Sequence, residues 1–114
     1  MTRHEEGIRL RHMLDYAKEA IAMASGRKRS DLDSDRMLQL SLTHLVEIIG
    51  EAAAHIGEDT RTRNPSIPWP RVVGMRNRLI HGYDTVDLNV LWDTVVDDFP
   101  SLVASLERIL RANG

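Results

Sequence analysis

The sequence predicts an all-α protein, an up-and-down bundle of four or five helices, on three observations. Apolar residues recur at spacings of three and four along most of the chain. No stretch alternates apolar and polar residues as a half-buried strand would, and glycines and prolines fall where helices of that length stop or start. At 114 residues with no cysteine, the chain is expected to fold as one domain over residues 1–114 without disulfides or cysteine-bound metal.

The first helix is expected from Leu10, Leu14, Ala17, Ile21 and Ala24, with Gly26 as its stop. A polar turn, Arg27-Lys28-Arg29-Ser30-Asp31, follows, and Asp33 or Ser34 is placed to accept the free N–H groups that open a second helix. Met37, Leu38, Leu42, Leu45, Ile48, Ile49, Ala52 and Ile56 make a wide apolar stripe ending at Gly57, which belongs at the centre of a bundle. Between Glu58 and Pro70 the pattern gives way to polar residues and three prolines around Trp69, which reads as a connection. Pro70 suits the first position of a third, short helix from Arg71 to about His81, ending near Gly82. Thr85 or Asp87 then starts a last helix. Its positions Leu88, Trp92, Val95, Phe99, Leu102, Leu106 and Ile109 keep one face apolar, and Pro100 should kink or split it.

Charge narrows the function. With 15 basic and 17 acidic residues the molecule is no polycation, so nucleic-acid binding would need local clustering. Thirteen of the bases are Arg; seven of the 15 lie between Arg3 and Arg29 and five between Arg61 and Arg78, whereas Asp84–Asp98 holds five acids and no base. Arginine grips phosphate through two parallel hydrogen bonds. The same pattern also suits solvated helix faces, and the Arg27–Arg29 turn is read as an exposed basic loop. The longest run free of charged residues, Met37–Val46, has ten residues against about 20 for a membrane span. The first residues lack an apolar signal core, so a cytoplasmic protein without membrane association is expected.

Chemistry concentrates in Met75-Arg76-Asn77-Arg78-Leu79-Ile80-His81-Gly82-Tyr83-Asp84. Arginine holds a phosphodiester, histidine exchanges a proton near neutral pH, and on a continuous helix Asn77 would lie one turn before His81 and orient it. That set suits metal-independent cleavage of RNA, in which the ribose 2′-hydroxyl attacks the adjacent phosphorus. The same residues also suit a plain structural task, satisfying free carbonyls and the dipole at a helix C-terminus. A second polar set, His44, Glu47, Glu51 and His55, shares one face of the second helix but spans about 16 Å, too far for one ion. Glu47 and Glu51 are better placed to pair with Arg76 or Arg78 and fix their direction. His4 and His12 lie near the N-terminus and carry no assigned role, and Trp92, Phe99 and Met13 are expected in the core.

Arg76 to Tyr83 fits Arg-x4-His-x-Tyr. Together with Val46-Glu47-Ile48-Ile49-Gly50-Glu51-Ala52-Ala53, Ile67-Pro68-Trp69-Pro70 and Val86-Asp87-Leu88, this resembles the HepT (DUF86) family of the HEPN superfamily over about residues 8 to 110. The resemblance implies an all-helical toxin of a type VII-like toxin-antitoxin pair, encoded beside a minimal nucleotidyltransferase antitoxin (MntA). It implies a metal-independent endoribonuclease that needs no cofactor and acts as a homodimer with two motif helices facing across a cleft; larger assemblies with the antitoxin stay open. On it Arg76 stabilises phosphate charge, His81 is general acid or base, Asn77 positions one of them, and Tyr83 receives AMP from the antitoxin. Glu47, Glu51 and Arg78 then stand behind these residues. The alternative is a non-catalytic nucleotide- or RNA-binding module that serves as partner and substrate of a nucleotidyltransferase.

Overall fold

The computed structural model describes residues 2–81 and 85–113, the side chains of His81 and Asn113 excepted. The architecture is all-α. Helix α1 (Arg3–Ala24) packs against both α3 (Arg36–Ala54) and α8 (Phe99–Asn113), and the short helices α5 (Trp69–Val73) and α6 (Met75–Leu79) lie against α3. Leu10, Met13, Leu14 and Ala17 of α1 meet Leu42, Val46 and Ile49 of α3 and Phe99 and Leu106 of α8 in one buried cluster. The heptad-like spacing of those residues is what selects the three long elements.

Each boundary has a local cause. Thr2 caps α1 by accepting from the Glu5 N–H at 3.0 Å, and Gly26 turns the chain away at φ +75°, a conformation open to glycine. The cap of α3 is Asp35, which accepts from the Leu38 N–H at 3.0 Å, and not Asp33 or Ser34 as expected. Those two residues belong to a one-turn helix, α2 (Asp31–Ser34), whose Asp31 side chain accepts from the Lys28 N–H at 2.9 Å. Arg27 reaches both Asp31 and Asp35, at 3.4 and 2.7 Å, and its hydrogen bond holds the Asp35 carboxyl below the usual carboxylate range. Arg29 pairs with Asp33 at 3.1 Å and donates to the Asn89 side chain at 2.6 Å. The basic turn is therefore tied down as part of the fold, leaving Lys28 as its outward cation.

Met37 departs from its expected place in the stripe. It is 80 % exposed, because the buried face runs through the next residue, Leu38, and Met37 sits about 100° round the helix from it. Helix α3 ends at Ala54 and not at Gly57, although Ile56 stays buried in the following turn. Gly57 instead precedes α4 (Glu58–Arg63), a helix inside the segment expected to be a plain connection. Glu6 holds it there across 51 residues of sequence, accepting from the Gly57 N–H at 2.9 Å and from the Thr60 hydroxyl. Arg61 donates to the carbonyls of Ile56 and Ala53, at 3.0 and 2.8 Å, and so closes the end of α3.

The third helix is broken. Gly74 divides α5 from α6, and Trp69 rather than Pro70 is the first residue of α5. Helix α6 stops at Leu79, and the β-branched pair Ile80 and Val86 go into a two-residue antiparallel ladder, β1 (Ile80–His81) with β2 (Thr85–Val86), closed by the Asp87 N–H on the Leu79 carbonyl at 2.8 Å. This overturns both the strand-free expectation and the helical placement of His81; the expected stop at Gly82 lies outside the described residues. Asp87, not Thr85, caps α7 (Leu88–Asp93) through the N–H groups of Asn89 and Val90. The expected split at Pro100 is present as a π-helical turn, Thr94–Asp98, in which the Phe99 N–H bonds the Thr94 carbonyl five residues back. The wider turn absorbs the hydrogen bond that Pro100 cannot donate.

Gly50 sets the distance between α3 and α5. A Cβ there would stand 3.3 Å from the Val72 carbonyl oxygen and 3.6 Å from that of Val73. Gly50→Val is accordingly expected to destabilise the fold by about 1–3 kcal/mol through overpacking against backbone. Thermal unfolding followed by circular dichroism checks this, and an unchanged midpoint would show that α5 can yield.

Candidate active site

Buried Met75 and Leu79 anchor α6 by its two ends, which turns the residues between them outward in different directions. Arg76 and Asn77 are exposed, and Arg78, 200° round the helix from Arg76, runs the other way. The Arg76 Nε lies 3.5 Å from Glu47 Oε2 on α3, the pairing expected for one of the two α3 carboxylates. An exposed pair of this kind is worth about 0–1 kcal/mol, so it directs the side chain more than it stabilises the protein. It engages Nε and leaves both terminal guanidinium nitrogens of Arg76 without a partner among the described residues, the fork that a phosphate accepts. Gly50, one turn after Glu47, is what brings the α5–α6 unit close enough for this contact.

Glu51 does not join it. Its carboxylate is 3.7 Å from His55 Nδ1, and the same nitrogen is 2.9 Å from the Glu51 carbonyl oxygen. Arg78 also lies apart from the pair. Its Nη1 donates to the Arg71 carbonyl at 3.0 Å, beside an Arg71–Asp98 ion pair of 3.1 Å, while its Nη2 is buried without a hydrogen-bond partner among the described residues. Burial, with the like charge of Arg71, lowers the Arg78 pKa from its ordinary value, against the pull of Asp98. The side chain thus braces α6 against α5 on the face away from Glu47.

Asn77 makes no side-chain hydrogen bond with the described residues, and the one-turn relation to His81 inferred from a continuous helix is lost because α6 has ended before it. Main-chain pairing with Thr85 sets the position of His81, close after α6. Tyr83 lies outside the described residues.

Arg76 and Glu47 stand on the wall of an open groove of about 440 Å³. The groove is also lined by His44, Ile48, Glu51 and Ala52 of α3 and by Arg9 and His12 of α1. Three of the four residues in the α3 polar set therefore line one feature, and His55 does not. Arg9 and His12 are the additions that sequence reasoning missed. Their spacing of three on the side of α1 away from Leu10 and Leu14 was the available signal, but nothing in the sequence says that this side faces α6. Among the described residues no three His, Asp or Glu side chains converge as metal ligands would, and no helix is long and apolar enough to cross a membrane.

The family model described as ribonuclease HepT-like matches residues 13–109. A probable ribonuclease HepT of Thermococcus cleftensis is 42 % identical over 79 residues, covering 69 % of this chain and 72 % of that protein. A protein of Methanocaldococcus jannaschii, provisionally named an RNase, is 31 % identical over 109 residues, covering 96 % of this chain and 100 % of that protein. No solved structure matches. With the family model spanning α1 to α8, and the Arg76 motif set against Glu47 on α3, the chain belongs to the HepT-like ribonuclease family of the HEPN superfamily.

Proposed function

We propose that this protein is a metal-independent endoribonuclease and the toxin of a toxin-antitoxin pair, acting as a homodimer. The observation that carries the reading is Arg76, exposed beside a groove, with its Nε on Glu47 and its terminal nitrogens without a partner among the described residues. In the reaction the ribose 2′-oxygen forms a bond to the adjacent phosphorus while the bond to the 5′-oxygen breaks. A base takes the 2′-hydroxyl proton and an acid gives one to the leaving oxygen. Arg76 holds the charge that gathers on the phosphoryl oxygens, His81 carries one of the two protons, and Asn77 positions substrate or imidazole. A second copy, with its motif facing the first across the dimer, supplies the other proton carrier. DNA lacks the attacking hydroxyl and is spared.

Control is exerted at Tyr83, two residues beyond His81. An MntA-like nucleotidyltransferase antitoxin would transfer AMP from ATP to the phenolic oxygen, releasing pyrophosphate and placing bulk and negative charge beside a phosphate site. Inhibition then requires no refolding.

The test is mixed RNA incubated with purified protein in EDTA, followed by analysis of product ends. Fragments ending in 2′,3′-cyclic phosphate and beginning with 5′-hydroxyl are expected. Salt-dependent RNA binding without any fragments would favour the non-catalytic binding module instead.

A further inference from the structure

We propose that Arg9 and His12 of α1, with His44 of α3, form a second nucleotide subsite that takes the single-stranded RNA next to the unit held at Arg76. The inference rests on the ribonuclease reading for its substrate class, but it concerns residues outside the motif.

Three features of the groove favour a nucleotide strand. Arg9 of α1 and Arg76 of α6 both line one groove, giving it two guanidinium groups, and its volume of about 440 Å³ falls in the range of small-ligand sites, roughly 300–1,000 Å³. The lining combines these cations with two imidazole rings and the apolar side chains of Ile48 and Ala52, the mixture of charge and flat rings used for unpaired bases. The His12 ring is backed by Tyr16, with ring centroids 5.9 Å apart and planes tilted by 39°, so it is supported by a second aromatic one turn along α1.

The groove also carries two carboxylates, Glu47 at 3.5 Å from the Arg76 Nε and Glu51 at 3.7 Å from His55 Nδ1, so its hold on a strand comes from placed contacts and not from net charge. Glu51 also remains able to accept an N–H from a base edge, a contact that a bare phosphate cannot offer. The basic turn after α1 does not compete for the strand, because Arg27 and Arg29 are occupied by Asp31, Asp35, Asp33 and Asn89.

Binding of two probes, a dinucleotide and a single-stranded oligoribonucleotide long enough to run through both subsites, tests the proposal by fluorescence anisotropy across a salt series. The double substitution Arg9→Ala with His12→Ala is expected to weaken oligonucleotide binding about ten-fold, with a smaller loss for the dinucleotide. Removing the Arg9 contact should also reduce the salt slope by about 0.7. His44→Ala should add to the loss. Lys28→Ala removes one positive charge from the turn outside the groove and is expected to leave binding unchanged. Equal affinities for the double variant and the unsubstituted protein, or a loss no greater than that of Lys28→Ala, would overturn the subsite while leaving cleavage intact as a separate result. A length-dependent loss in a protein that proves not to cleave RNA would uphold the subsite and reject the ribonuclease reading. If the groove variants kept RNA affinity but lost capture of the co-expressed nucleotidyltransferase, the groove would be a protein-docking surface and the proposal would be wrong.

Discussion

His81→Ala should lower RNA cleavage by roughly 10²- to 10⁴-fold, the usual worth of a positioned proton carrier. The position suits a clean experiment. His81 is held through its main chain, in the short ladder opposite Thr85, and alanine keeps that pairing. The variant should therefore unfold at the temperature of the unsubstituted protein, so that a fall in single-turnover rate reports chemistry and not stability. The proposed homodimer with a shared site makes a second outcome specific: mixing the His81→Ala protein with a second inactive variant should restore part of the activity if each copy supplies what the other lacks. Full cleavage by His81→Ala would remove this residue from the reaction.

Arg76→Ala is expected to cost about 10²- to 10³-fold in rate, the range seen when one preorganised donor to a developing oxyanion is removed. Arg76→Lys should recover only part of it, because an ammonium is a point charge and cannot present the two parallel N–H groups of a guanidinium. The 3.5 Å contact with Glu47 predicts a milder companion effect. Glu47→Gln keeps the shape but weakens the pull on Nε, so cleavage should fall several-fold while Arg76 stays accessible. Since Arg76 is exposed and the ion pair is a surface one, neither substitution should change stability by more than about 0.5 kcal/mol. Equal rates for Arg76→Ala and the unsubstituted protein would show that the phosphate is held elsewhere.

The sequence determined the all-helical class, most of the core and two of the helix boundaries, those at Gly26 and Asp87. Leu10, Met13, Leu14, Leu42, Ile49, Phe99 and Leu106 were legible because apolar spacing of three and four has one efficient burial solution. Gly26 and Asp87 were legible because each meets a demand of its own backbone, a positive φ in one case and free N–H groups in the other. Glu47 could be paired with the motif from residue chemistry, and the structure brings it to Arg76.

Other features depended on contacts between distant segments. Met37 looked like core until packing chose Leu38 for the inward face. The polar stretch after Gly57 became a helix fixed in place by Glu6, 51 residues earlier, which accepts from the Gly57 N–H and the Thr60 hydroxyl. The helix expected to carry Asn77 and His81 on one face ends at Leu79, where pairing between Ile80 and Val86 outweighs continuation of so short a helix. Arg76 and Arg78, two residues apart and chemically alike, acquired opposite settings, one beside a groove and one braced against the Arg71 carbonyl. Helical period and cap chemistry are local quantities, readable from neighbouring residues; which arginine meets a carboxylate, and which side of α1 lines the groove, depends on how α1, α3 and α6 pack, and only the tertiary structure decided it.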